Sequence, residues 1–324
     1  MKIPAAIEKS CISIGNQDIL SNPNTFHIGY GTDENFVMPM GVSMVSILEN
    51  NKKMPVAFHV LTEHISEKSQ NLLSQIIQEI PNSVILIHQL ELHILDDLPM
   101  YSSLGRASYY RIFLDQILPE QVSRILYLDG DIICLGDLQQ LASQNFEKFT
   151  VMAVKDVPTT ALKQEKKFHL TNYCNSGMLF INLPQWKKEK IPEKFLDVCY
   201  SYKEKLNHLD QDALNIILEN QKKILDNRYN YIPEANEPLT NLPERTLFLH
   251  YAGTKPWYCW LEFPLQYYFK KYYALSPWKS QSLAMPRNYR EMHYLSRYLQ
   301  KKGDFGGSCY WLFKYLLTKV RTKL

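Results

Sequence analysis

Short apolar runs alternate along this chain with longer stretches whose apolar positions recur every three or four residues. Residues 25–30 read as a strand and 37–48 as a helix. Residues 56–61 give a second strand. Ser66 then caps a helix reaching about residue 80, with Leu72, Leu73, Ile76 and Ile77 on one face. Residues 84–87 form a third strand, 102–117 a helix, and 124–128 a fourth strand that breaks at Asp129-Gly130-Asp131. This alternation predicts an α/β fold, a mostly parallel sheet with helices on both faces. Ligands of such sheets sit beyond the carboxyl ends of the strands, so the loops after Tyr30 and Leu128 are the first places to look. After residue 150 the pattern is mixed, with strands at 151–154, 178–181 and 247–251 and helices at 193–206 and 212–218. Residues 1–24 read as an irregular segment ending in the turn cluster Ser21-Asn22-Pro23-Asn24. The expected organisation is that segment, a main domain over 25–276, and a basic, aromatic-rich helical region over 277–324.

Composition changes this picture in two ways. With 324 residues, 45% of them hydrophobic, the chain can bury a large core, yet no run of about 18 apolar residues predicts a membrane span. No apolar run follows the N-terminal lysine, so no signal peptide is expected. The six cysteines, at 11, 134, 174, 199, 259 and 309, show no paired spacing and point to a reduced, cytoplasmic protein. Charge is uneven: residues 277–324 carry ten Lys or Arg against Glu291 and Asp304, so the rest of the chain is net acidic. A basic tail on such a body points to an anionic partner surface.

The sharpest chemical feature is the Asp129-Gly130-Asp131 break. Two carboxylates one residue apart on a loop can turn toward one hard cation, with Gly130 allowing close backbone approach. The same pair also suits a hairpin turn, or the nucleophile of a phosphohydrolase built on Asp129. His250, followed by Ala252-Gly253-Thr254-Lys255-Pro256-Trp257, sits after a short strand and offers an imidazole for a mixed N/O site; Gly253 and Lys255 suit phosphate oxygens. Gly31, Asp33, Asn35 and Phe36 suit a nucleoside, or equally a strand-to-helix turn capped by Asp33 or Asn35. Asn175, Ser176, Asp210 and Gln211 stand at element ends, where they can bind sugar hydroxyls or cap. Arg111 lies in an apolar helical stretch and needs an anionic or multi-oxygen partner.

In this order, the segments GTDENF, ASYYR, LYLDGDIICLGDL, YCNSGMLFINL, LDQDALN and HYAGTKPW together resemble glycosyltransferase family 8, and most closely its bacterial lipopolysaccharide core glucosyl- and galactosyltransferases. The resemblance runs from about Phe26 to the C-terminus. It implies a GT-A fold and transfer of glucose or galactose from UDP-glucose or UDP-galactose to the outer core of lipopolysaccharide, with retention of anomeric configuration. It further implies Mn2+ or Mg2+ held by Asp129, Asp131 and His250. Gly31, Asp33, Asn35 and Phe36 would hold uridine, and Gly253 and Lys255 the phosphates. Arg111, Asn175, Ser176, Asp210 and Gln211 would line the donor sugar, with Gln211, Asp210 and Arg111 acting on the reacting centre. Two departures stand out: Gly253-Thr254-Lys255 is one residue short of many relatives, and Phe36 replaces a frequent tyrosine, which keeps the stacking face.

The tail adds a stripe of Cys309, Leu312, Phe313, Leu316, Leu317, Val320 and Leu324, flanked by Lys314, Lys319, Arg321 and Lys323. Such a helix either lies on an anionic membrane surface or packs on the body. A lipid-linked acceptor favours the membrane, with the protein peripheral on the cytoplasmic face of the bacterial inner membrane; no nucleic-acid partner is expected. The rivals from other classes are the phosphohydrolase and a non-catalytic sugar-nucleotide-binding protein.

Overall fold

The computed structural model describes residues 7–78, 80–98, 105–233 and 242–321. Its strands are β1 (Ile7–Gly15), β2 (Phe26–Gly31), β3 (Val56–Thr62), β4 (Ser83–Glu91), β5 (Arg124–Leu128), β6 (Ile132–Cys134), β7 (Val151–Lys155), β8 (Cys174–Asn182), β9 (Lys222–Leu225) and β10 (Phe248–His250). Eight of them form one sheet in the order β1-β4-β3-β2-β5-β8-β7-β9, and β10 pairs with β6 apart from it. Neighbours β4, β3, β2 and β5 are parallel, as are β7 and β9. Only β1 and β8 run against the rest. The mostly parallel α/β sheet expected from the alternation is therefore present.

The sheet divides the interior. Along β5, Leu126 and Leu128 join one hydrophobic cluster with Met40, Phe58 and Phe180, while Ile125 and Tyr127 join another with Phe113, Trp186 and Phe195. Both faces are covered, which is why β3, apolar but for His59 and Thr62, is buried along its whole length instead of alternating. The helix Val37–Asn50 covers one face, and its Gly41 makes room for the tail: an added Cβ would overlap the Trp278 ring.

Three expectations change. Residues 7–15, read as irregular, form β1, an edge strand whose apolar residues are too few to give a core signal. Its pairing with β4, distant in the chain, makes it a strand. The helix expected over 102–117 is a 3-10 helix, Arg106–Phe113, followed by one α-turn, Leu114–Ile117; residues 102–104 lie outside the described ones. Every side chain from Tyr109 to Leu114 is buried, a packing that a one-faced surface helix does not provide. The helix read over 193–206 runs from Ile191 to Ser201.

A row of histidines crosses three strands. His27 Nδ1 lies 3.0 Å from His59 Nε2, His59 Nδ1 lies 3.0 Å from His88 Nε2, and His88 Nδ1 donates to Glu8 Oε1 at 2.6 Å. Burial lowers all three imidazole pKa values, that of His27 to about 4. The unfolded chain, with ordinary histidines near 6.5, then binds protons first. The row's stabilisation is accordingly complete above about pH 6.5 and is lost as pH falls toward about 4. Urea unfolding at pH 7 and pH 5 should show a loss of stability that His27→Gln reduces; an equal loss in the variant would contradict this.

Candidate active site

β2 and β5 are adjacent and parallel, so the loops after Gly31 and Leu128 open on one sheet edge. In the second loop, Asp129 N–H donates to Gly177 O at 2.7 Å, tying the loop to β8. β10 lies antiparallel on β6 with His250 opposite Ile132, which brings the imidazole beside Asp131. His250 Nε2 is 3.2 Å from Asp131 Oδ1, and the ligand atoms of Asp129, Asp131 and His250 all lie within 4.8 Å of one another. Gly177 faces this cluster, and an added Cβ would stand 2.7 Å from Asp129 Oδ2 and overlap the His250 ring. Gly130 has no unusual backbone angle; it packs against the helix, where a Cβ would sit 3.3 Å from Met40 Cβ. Among the described residues a second such cluster, Glu8, Cys11 and His88, lies on the β1 edge, with His88 Nδ1 already taken by Glu8.

Cationic side chains compensate the two aspartates. Arg111 Nη2 donates to Asp129 Oδ1 at 2.9 Å, and Lys255 Nζ contacts Asp131 Oδ2 and donates to Tyr251 O at 2.9 Å. Burial alone would raise the Asp131 pKa, but Lys255 and His250 hold it well below the usual carboxylate range. Lys255 is thus engaged at the acidic pair rather than reaching outward, while Gly253 is exposed with open space around it.

Arg111, Asn175, Ser176, Asp210 and Gln211, read separately from the sequence, converge and are all buried. The Arg111 guanidinium lies 4.2 Å over the Tyr127 ring, 3.5 Å from Asp210 Oδ2, and donates to Ser176 O. Asp210 does not cap its helix, Asp210–Ile217; its carboxylate accepts from Ser176 Oγ at 3.2 Å. Burial, with Asp129 nearby, pushes Asp210 up to about 6 against the pull of Arg111. Leu209, at a positive φ of 43°, precedes Asp210 and Gln211, which are both buried. Gln211 Oε1 accepts from Ser176 N–H at 3.0 Å, and its Nε2 donates to Asp156 Oδ2 at 2.7 Å.

The nucleoside-type loop is built mainly by capping. Asp33 Oδ1 accepts from Asn35 N at 2.9 Å and Phe36 N at 3.2 Å, capping the 3-10 helix Glu34–Phe36. Gly31 is required by proximity, since a Cβ there would lie 2.5 Å from Ala107 O. Asn35 Oδ1 accepts from Arg287 Nη1 at 2.6 Å, and Phe36 meets Trp257 edge-on at 5.7 Å. Phe36 stays 38% exposed and lines a cavity of about 400 Å3 with Asn35, Trp257 and Arg287. A larger cavity of about 970 Å3 lies at the opposite, amino end of the strands, lined by His27, Lys52 and Arg124, and holds none of the convergent side chains.

Sequence reading missed Asp156 and Asn230. Asp156 directly follows β7 and obeys the same strand-end logic as Asp129, so that signal was available. Asn230, whose Oδ1 lies 3.1 Å from His250 Nδ1, follows a 3-10 turn and carries no such signal.

The family model Glycosyl transferase family 8 matches residues 27–260, and its companion, Glycosyl transferase family 8 C-terminal, matches 263–319. The chain belongs to glycosyltransferase family 8. It is 33% identical to a lipopolysaccharide 1,2-glucosyltransferase of Escherichia coli over 81% of each chain. It is 28% identical to the lipopolysaccharide 1,3-galactosyltransferase of Salmonella typhimurium over 93% of each. Among solved structures, an active-site mutant of LgtC matches with a TM-score of 0.69 at 20% identity, over 78% of this chain and 99% of that one. The galactosyltransferase LgtC with donor and acceptor sugar analogues matches with a TM-score of 0.66 at 20% identity, over 80% and 97%. These structures share the GT-A fold. As a family 8 glycosyltransferase the chain is a hexosyl-transferring enzyme, which sets aside the phosphohydrolase and the non-catalytic binder. Ile133, where the phosphohydrolase would need a small or hydroxylated residue, is buried in β6.

Gly177→Ala should destabilise the protein by about 1–3 kcal/mol, because the methyl group overfills the gap between Asp129 and His250. Chemical denaturation measures this, and an unchanged midpoint would refute the close fit.

Proposed function

We propose that this enzyme transfers glucose or galactose from a UDP-hexose to the outer-core oligosaccharide of lipopolysaccharide, with retention, at the site formed by Asp129, Asp131, His250 and the buried cluster around Arg111. The convergence of those three donor groups from the β5–β6 loop and β10 beside a buried polar pocket carries the reading. The names of relatives matched over 81% to 94% of their length support the substrate class.

The donor set fits a divalent ion. One imidazole and two carboxylates offer mixed N/O ligation, and Gly177 keeps the space between them free of a side chain. This suits Mn2+ somewhat better than Mg2+, which favours oxygen alone. An ion held there supplies Lewis-acid neutralisation of charge developing on the departing diphosphate. Lys255, now on Asp131, turns to the phosphates beside Gly253 and Gly130 once that carboxylate has another partner. Asn35 exchanges Arg287 for the base, the exposed Phe36 ring stacks on uracil, and Gly31 and Asp33 shape the ribose side. Arg111, Asn175, Ser176 and Asp210 hold the sugar.

Retention by a covalent route needs a nucleophile under the anomeric carbon. Gln211 is a poor one: its amide oxygen already accepts two hydrogen bonds and its nitrogen donates to Asp156. Front-face attack, with Gln211 and Asp210 positioning the sugar, fits these bonds better.

The tail supports membrane association. Helices Tyr289–Lys301 and Phe305–Arg321 pack on each other, and the second turns Gly307, Ser308 and Trp311 inward. Its stripe of Cys309, Leu312, Phe313, Leu316, Leu317 and Val320 is exposed, so it is not packed on the body; Lys323 and Leu324 lie outside the described residues. Among the described residues no helix is long and apolar enough to cross a membrane. An apolar stripe beside cations, each worth about 1 kcal/mol near anionic lipid, matches a helix lying in the interface.

Asp129→Asn and Asp131→Asn should each lower metal-dependent UDP release from UDP-hexose by about a hundredfold or more, a loss typical of removing one electrostatic contact to the transition state. Full activity of either in excess chelator would end the metal reading. Gln211→Ala should slow turnover while the product stays the α-anomer; a glycosyl adduct on a side chain, found by intact-protein mass spectrometry, would end the front-face route. Removing residues 306–324 should abolish flotation with vesicles containing anionic lipid, and unchanged flotation would show that the tail is not the anchor.

A further inference from the structure

Behind His250 runs a chain of hydrogen bonds whose direction is set by two backbone N–H groups. Gly177 N–H donates to Asn175 Oδ1 at 3.0 Å, so that atom accepts. The Asn230 atom 3.0 Å from it must then be the donor Nδ2. The oxygen of Asn230 therefore faces His250 Nδ1 at 3.1 Å, and that nitrogen must carry a proton. On the other side, Ser176 N–H fixes Gln211 Oε1 as an acceptor, which also receives Asn175 Nδ2 at 3.1 Å. Gln211 Nε2 is left to donate to Asp156 Oδ2 at 2.7 Å and to Tyr173 Oη at 3.1 Å. From His250 through Asn230, Asn175 and Gln211, every donor points toward the carboxylate of Asp156.

We infer that Asn230 is a positioning residue, the link that locks His250 in the tautomer presenting Nε2 to a metal ion, with Asn175, Gln211 and Asp156 holding Asn230 in turn. The inference rests on the metal reading above. With Nδ1 committed as donor to Asn230, the Nε2 of His250 is the ring nitrogen left to face Asp131 Oδ1, at 3.2 Å. A ring nitrogen and a carboxylate oxygen that close share a positive charge between them, a proton or, when bound, a metal ion. An imidazole whose second nitrogen is tied in this way is oriented and made more basic as a ligand. Usually the tie is a carboxylate or a carbonyl; here three amides stand between the ring and the carboxylate, each polarising the next. The same bonds join the sugar pocket to the metal ligand, since Gln211 belongs to both.

Mn2+ binding to the full chain, followed by the EPR signal of free Mn2+ with and without UDP, tests the assignment. Asn230→Ala should weaken binding by about 10- to 100-fold, the usual loss when a ligand histidine loses its partner. Asn230→Asp returns an acceptor to Nδ1 and should recover affinity to within about threefold of the parent, although it cuts the chain behind it. A general structural role would lower the melting temperature of both variants without separating their Mn2+ affinities. Asn230→Ala binding within about twofold of the parent, or Asn230→Asp binding no better than Asn230→Ala, overturns the assignment. Asp131→Asn is the control: if it binds Mn2+ as the parent does, the metal reading itself fails and takes this inference with it.

Discussion

Two aspartates lie at the carboxyl end of a central strand, one of them buried, and the surroundings are organised around compensating their charge. A buried carboxylate without a partner is costly enough to drive protonation instead. Arg111 reaches Asp129 from the 3-10 helix that follows β4, while Lys255 and His250 reach Asp131 from the segment after β9. The parts of the chain around the site are therefore tied to one small region of negative charge. The same arrangement makes the region responsive to ligands, because a cation or a phosphate arriving there changes which side chain pairs with which.

Rigid and adjustable partners are distributed unequally. Asn175, Gln211 and Asn230 are fixed by backbone amides or by each other and sit deep behind the site. The bonds made by Lys255, and by Arg287 with Asn35, lie nearer the surface and join side chains able to exchange partners. A site built this way keeps its geometry where ligands must be aligned and yields where substrate must enter. The tail belongs to the yielding part: Trp278 anchors it on the main domain through the space at Gly41, and Arg287 reaches the nucleoside loop from it. The apolar face it leaves exposed is separate from both contacts.

Much of this was legible in the linear pattern, unevenly. The β2 to β5 alternation, the Ser66 cap and the strand ending at Asp129 follow from local periodicity and from both faces of the sheet being covered, and both are short-range properties. β1 was not legible, because an edge strand half open to solvent carries no buried stripe. The 3-10 turn at Arg106–Phe113 was misread because its spacing mimics an α-helix, while burial on all sides set its true form. Asp33 is a cap in the structure, a role that the sequence allowed equally with nucleoside binding.

By itself the sequence determined the alternation of strands and helices from β2 to β5, the acidic pair at a strand end, the group of polar segments that resemble family 8, and the charge asymmetry of the tail. Each is written in neighbouring residues. Only the folded chain decided that β10 lies on β6 and so sets His250 against Asp131, that Lys255 rests on the same carboxylate, and that Asn230 and Asp156 stand behind the site. These depend on pairings between residues distant in sequence, whose partners no local pattern specifies. Neither could local pattern show that the apolar stripe of the last helix faces outward, since the sequence is the same whichever surface covers it.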